Sequence, residues 1–318
     1  MFRARCGVDA DRGDFQLKYV SSYQTISLFL FATTVAAFCS VPVSAQTSAQ
    51  QQPPPAQIQS EPDLINADRP GIADGSTVVG PKTFQVESGI QEEFRRNEEG
   101  REHTFFIPTL LRFGINNHWE VRIEGNTFMR ITSFDSENTA THTSGFAPTS
   151  LGFKYQIYNS NSEHQISVGT IVRVFPTWGS QEFRTQHTNW DVRLAADWNF
   201  APRQKLSVNP NIGVARYEDD QGRLFTAGLF AATLNYLPTK KLNPYIDLGV
   251  QFPETKNGMT AALLDGGVAY IVGHNLQLDA GVGTRVHGAR VHGASPPRPL
   301  LEFGISWRAK FHGTRPSK

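Results

Sequence analysis

From about residue 80 onward the chain consists of short runs in which apolar and polar residues alternate, joined by connectors that are alternately short and long. A period of two puts successive side chains on opposite faces of a β-strand, so each run has one apolar and one polar face. In one run Leu276, Leu278, Ala280 and Val282 oppose Gln277, Asp279 and Arg285. In another, Trp119, Val121, Ile123 and Met129 face one way and Glu120, Arg122, Glu124, Asn126 and Arg130 the other. A slip of one residue would exchange the faces, so the register is strongly specified if one face meets hydrocarbon and the other water.

Twelve such runs are expected between residues 84 and 311, an even number of the kind found in single-chain bacterial outer-membrane barrels. Connector lengths agree with that architecture, which has tight periplasmic turns and longer external loops. Short links are expected at 116–118, 159–163, 201–204, 237–242 and 273–275, and long ones at 133–147, 176–187 and 287–299. Aromatic residues gather near the ends of the runs, as Phe84, Phe94, Trp119, Phe153, Trp190, Trp198, Phe200, Trp307 and Phe311, where they suit the two membrane interfaces. The fold expected is all-β, a 12-stranded antiparallel transmembrane β-barrel of the bacterial outer membrane.

A hydrophobic content of 39% with 19% charged residues would also permit an ordinary soluble core, so pattern has to decide. The apolar stretch 26–38 has the length of a secretory h-region and is too short to cross a bilayer as a helix. Val43-Ser44-Ala45 offers a cleavage site, giving a signal peptide over 1–45, although the acidic residues ahead of it point to a start codon downstream of Met1 or to an atypical leader. Both cysteines, Cys6 and Cys39, fall in this leader, so the mature chain would hold no thiol for disulfides or catalysis. Residues 46–62 read as a disordered Pro/Gln-rich linker and 63–80 as a periplasmic lead-in segment, too rich in glycine and proline for a regular element. The barrel is expected over 81–311, with a C-terminal tail at 312–318. With 30 cationic and 29 acidic residues, bulk charge recruits no nucleic acid.

The polar faces carry mid-strand charges of both signs: Arg112, Arg122, Glu124, Lys154, Arg173, Arg193, Asp197, Asp247, Asp265, Asp279, Arg285, Glu302 and Arg308. One reading makes them pore-lining, a polar conduit that selects and orients a solute. The other has them pair across neighbouring strands and fill a narrow lumen. Phe106, Leu110, Leu263 and Ile271 should also point inward, which argues for partial plugging or an apolar stripe. Neutralising Arg122 or Arg173 is expected to change ion selectivity and leave folding intact.

No nucleophile elbow, His-Glu-x-x-His helix or phosphate-binding glycine loop occurs, and no histidine lies mid-strand on an apolar face, so an enzyme is not expected. A tandem repeat, Arg285-Val286-His287-Gly288-Ala289 then Arg290-Val291-His292-Gly293-Ala294, sits in a long loop. Two histidines without carboxylate or thiolate neighbours make a weak metal site, and a duplication in a tolerant loop is the simpler account. Neither a metal nor any other cofactor is expected.

Three places resemble the outer-membrane transporter family described as a MetA pathway of phenol degradation. They are Asp68-Arg69-Pro70 followed by Gly80-Pro81-Lys82-Thr83-Phe84-Gln85-Val86-Glu87-Ser88-Gly89, then Tyr245-Ile246-Asp247-Leu248-Gly249, and Leu276-Gln277-Leu278-Asp279-Ala280-Gly281. The resemblance spans about 63–311 and implies fold and place rather than substrate. Members usually finish at the terminal aromatic that the barrel-assembly machinery recognises, whereas here residues 312–318 follow Phe311. The expected function is an outer-membrane channel that passes or binds a small solute, hydrophobic or aromatic solutes included, with lipids and the assembly machinery as partners. A closed barrel acting as an adhesin or structural element is the first alternative, and a secreted soluble β-sandwich binding protein the second.

Overall fold

The computed structural model describes residues 63–97, 100–135, 137–160, 164–219, 221–287 and 299–311. The leader, linker, C-terminal tail and second copy of the tandem repeat lie outside the described residues. Thirteen strands follow in order: β1 Thr83–Asn97, β2 Gly100–Gly114, β3 Trp119–Phe134, β4 Ala140–Gly145, β5 Ser150–Asn159, β6 Ile166–Phe175, β7 Asn189–Ala201, β8 Leu206–Glu218, β9 Leu224–Tyr236, β10 Leu242–Phe252, β11 Ala261–Ile271, β12 Leu276–His287 and β13 Pro299–Lys310.

Twelve of them close into an antiparallel ring in which β1 pairs with both β2 and β13, and β3 pairs with β5. Closure removes the unpaired edges that an open sheet would expose to lipid. It also excludes the sandwich, because no second sheet is present among the described residues for the apolar faces to pack on.

The exposure pattern is that of a soluble protein turned inside out. Val282, Ile246, Phe303 and Ile212 on the outer face are 57–62% exposed, while Arg112, Arg122, Lys154 and Asp247 on the inner face are at most 1% exposed. Outward aromatics cluster next to the short connectors: Trp119 lies 4.6 Å from Tyr155 and 5.4 Å from Phe153 between ring centroids, and Phe84 lies 4.7 Å from Phe113. These rings have the amphipathic shape that suits the headgroup level.

The element missed in the sequence is β4. It lies within the connector at 133–147 and continues the upper part of β3 as a hairpin, from Met129↔Gly145 to Phe134↔Ala140. Its composition, Ala-Thr-His-Thr-Ser-Gly, has no apolar alternation to announce it. The β3–β5 ladder runs only from Trp119↔Tyr155 to Glu124↔Ser150. Above it the wall is completed by the loop at 146–149, where the Ala147 N–H donates to the Asn126 carbonyl at 3.2 Å.

A bulge corrects the expected facing of two residues. Ile107 pairs with Phe128 and Pro108 with Asn126, which leaves Thr127 as the extra residue on β3. Past that point the alternation is shifted by one. Met129 therefore faces inward opposite Phe106, and Arg130 faces outward and is exposed.

A charge placed mid-strand on the outer face tests the lipid assignment. Val282→Arg should destabilise the barrel in bilayers by about 2–4 kcal/mol, measured by urea unfolding in lipid vesicles. An effect near zero would mean that this face does not meet hydrocarbon.

Candidate functional site

The lumen is occupied by the chain's own residues 63–80. The sequence reading of this stretch as a periplasmic lead-in is corrected here: it enters beside β13, rises inside the ring, and returns to begin β1. At its base Arg308 bonds Asp63 at 3.0 Å, and the Ile65 N–H donates to the His274 carbonyl at 2.8 Å. Above this, two adjacent residues face opposite walls of the lumen.

Asp68 faces the three cations of β2, β3 and β5, which share that wall with Glu120 and Glu124. It lies 2.8 Å from Lys154 and 3.5 Å from Arg112, and is hydrogen-bonded to Arg122. Arg69 faces the acidic wall, 3.1 Å from Asp279 and 3.8 Å from Glu302, while its backbone N–H donates to Glu87 at 2.8 Å. Further along, the Ile72 N–H donates to Asp247. Asp74 pairs with Arg122 at 2.8 Å and Arg193 at 3.4 Å and shares two 2.9 Å hydrogen bonds with Asn211. The Ser76 N–H and hydroxyl donate to Asp197 at 3.0 and 2.7 Å, and the Val79 N–H donates to Glu120 at 2.9 Å.

The wall is shaped to admit this segment. Gly89 and Gly304 oppose one another across β1 and β13, and a Cβ at Gly304 would stand 2.5 Å from the Arg69 Nε. At Gly249 it would stand 2.8 Å from the Ile72 side chain, and at Gly169 2.4 Å from the Ser76 carbonyl oxygen. All three distances are shorter than a carbon atom tolerates, so the bare backbone leaves the room that the segment fills.

All the charged residues expected to line a pore do point inward, but most do not border open water. Arg112, Arg122, Lys154, Arg193, Asp197, Asp247, Asp279, Glu302 and Arg308 bind the inserted segment. Glu124 and Arg173 pair within the wall at 2.7 Å, where Arg173 also meets Asp191 at 2.9 Å. Arg285 pairs with Glu254, and Asp265 has no hydrogen-bond partner on its Oδ1. Sequence reasoning missed Asp68, Arg69, Asp74 and Ser76. The available signal was a non-alternating stretch with charges set among glycines, together with inward glycines on strands otherwise lined by large residues.

Burial works to raise the pKa of the Asp68 carboxyl, and the cations Arg112, Lys154 and Arg122 overcome it, holding the group well below its ordinary 3.8. A carboxylate depressed on folding contributes its full stability above the unfolded value and loses it as pH falls toward the folded one.

Three cavities border the segment. One of 430 Å³, lined by Asn66, Asn209, Asn235 and Asn243, lies toward the short connectors. Another of 440 Å³ lies on the opposite side, bounded by Arg69, Glu124, Asp265 and Glu302 and reaching Gly125, Ala147 and Pro148 at the wall. The third, of 230 Å³, is a mainly apolar chamber between Ile72 and the inner residues Leu229, Ala231, Leu263 and Leu300, with Arg193 and Arg285 at its margin.

The family model described as "Putative MetA-pathway of phenol degradation" matches residues 67–291, from the inserted segment past the end of β12. The chain belongs to this family. No curated protein matches it in sequence. The crystal structure of an outer membrane channel from Pseudomonas putida F1 superposes with a TM-score of 0.56 at 11% identity, covering 74% of this chain and 98% of that one. The β domain of the Bordetella autotransporter BrkA (TM-score 0.45, 13% identity, 71% and 98% covered) and the NanC porin (0.42, 10%, 70% and 98%) are more distant. At 11% identity the first likeness supports the fold alone, a twelve-stranded outer-membrane barrel.

Removing one partner of a buried pair strands the other charge. Arg122→Ala, which leaves Asp68 and Asp74 short of a cation, should weaken docking of the segment by about 3–5 kcal/mol and raise single-channel conductance, seen in planar bilayers. This revises the expectation that only selectivity would change. In mild acid the segment should stay docked, with the protection of amides at 66–79 relative to their intrinsic exchange rates unchanged between pH 7 and 4 and lost only as the pH drops below 3.8, the ordinary Asp68 value. Loss of that protection near pH 6 would refute the account.

Proposed function

We propose that the barrel is an outer-membrane channel that binds and passes small solutes with an apolar or aromatic part, and that residues 63–80 form its internal gate. The observation that carries this reading is the chamber of Leu229, Ala231, Leu263 and Leu300, whose inward side chains are apolar in a lumen rich in charged and polar groups. A conduit for sugars or ions gains nothing from such a surface, whereas an apolar body released from water gains about 25 cal/mol for each Å² it buries there. The similar protein from Pseudomonas putida F1 is an outer membrane channel, and the family's description names phenol degradation, which fits an aromatic cargo. Of the expected pore-lining residues, those that bind the inserted segment then act as its latch, and specificity falls to the chamber and its margin. Outer-membrane lipids and the barrel-assembly machinery complete the set of partners.

The filled lumen favours one other reading, a closed barrel that serves as an adhesin or structural element. Flux through proteoliposomes separates the two. Nitrophenyl glucoside, neutral and aromatic, should cross faster than sucrose, which is of similar mass, and Leu229→Lys should abolish the difference. If neither solute crosses faster than in empty vesicles, the transport reading fails and the closed barrel stands.

A further inference from the structure

The inner wall formed by β10–β13 gathers Asp247, Asp265, Asp279 and Glu302, and the cation paired with it is Arg69, which reaches Asp279 and Glu302. Asp247 and Asp265 stand directly opposite on adjacent strands, an arrangement that costs energy when both carry charge. The Asp247 carboxylate is held by the Ile72 N–H, with the Thr233 side chain and the Ala73 and Leu248 backbone also placed against it. Asp265 is 7% exposed, and its Oδ1 has no hydrogen-bond partner. A buried carboxylate oxygen without a donor is expensive, and the group is relieved either by taking up a proton or by accepting a cation.

Glycines on β12 give the acidic side chains their room. The cross-strand partner of Asp265 on β12 is Gly283, where a Cβ would fall 2.6 Å from the Asp265 Cβ. At the neighbouring Gly281 a Cβ would fall 2.5 Å from the Tyr245 hydroxyl and 2.6 Å from the Glu302 Oε1. That hydroxyl donates to Glu302 at 3.0 Å, whereas the Asp265 Oδ1 beside the cavity has no donor. Asp265 and Glu302 both border the 440 Å³ cavity, so the position can be reached from the lumen.

We propose that Asp265, backed by Asp247 and faced by Glu302, is a binding site for a monovalent cation, either an alkali ion or the ammonium group of an organic solute. A divalent cage is not built here, because among the described residues no three His, Cys, Asp or Glu side chains are placed to enclose a metal ion. An ion of single charge needs only one or two carboxylates and brings the wall closer to neutrality. Binding of this kind depends on the wall alone and holds whether or not the barrel conducts.

Calorimetric titration of the refolded protein in detergent at pH 8 tests it, with benzylammonium, potassium chloride and uncharged benzyl alcohol as probes. The expected result is one saturable site for benzylammonium or potassium, at least ten-fold weaker in Asp265→Asn and in Asp247→Asn and absent for benzyl alcohol. Competition between the two cations identifies which source the site prefers. No saturable binding of either cation to the unaltered protein would overturn the proposal, as would undiminished binding in the two variants. Because neither variant introduces a charge, heat-modifiable gel mobility should show both folded.

Discussion

The structure depends on one pair of adjacent residues, Asp68 and Arg69. On one inner wall of the ring Arg112, Arg122 and Lys154 stand among Glu87, Glu120 and Glu124, and on another carboxylates gather, and neither set is fully paired without the inserted segment. One residue supplies an anion to Arg112, Arg122 and Lys154, and the next supplies a cation to Asp279 and Glu302. A dipeptide spanning the lumen thus neutralises much of two walls, and the flanking Ile72, Asp74 and Ser76 add polar contacts to β10, β8 and β7. The barrel and its filling are therefore one folding unit: the inward charges that suggested an aqueous conduit are largely the sockets of an internal segment.

Outside and inside obey different solvents. Outward side chains solve the problem of hydrocarbon by being large, apolar and aromatic at the rims, and this needs only local alternation. Inward side chains must satisfy one another across the lumen, through contacts such as Arg122 to Asp74 that join residues far apart in the chain. The inner row Phe225, Ala227, Leu229 and Ala231 on β9 is apolar along its length, giving the lumen a greasy patch among its charges.

That contrast explains what could be read in advance. The twelve ring strands, their facing and their closure were legible because a period of two is written into each strand separately. Met129 and Arg130 were misassigned because a single extra residue, Thr127, shifts the alternation, and nothing in the local composition marks it. β4 escaped because a hairpin outside the membrane needs no apolar face. Residues 63–80 were recognised as irregular and placed outside, since an irregular backbone gives no sign of the partners that will bond it. Their position is encoded instead in distant glycines, Gly169, Gly249 and Gly304, whose missing side chains have meaning only once the ring is closed.

Both feet of the internal segment are moored at the same rim. Asp63 is tied to Arg308 and Lys310 at the end of β13, and at the far end Lys82 accepts a hydrogen bond from the Phe311 N–H at 2.9 Å as the chain turns into β1. A strap anchored twice cannot be ejected like a cork. It can only slacken, so any aperture it yields must widen by degrees, beginning wherever along its length the grip of the wall is weakest.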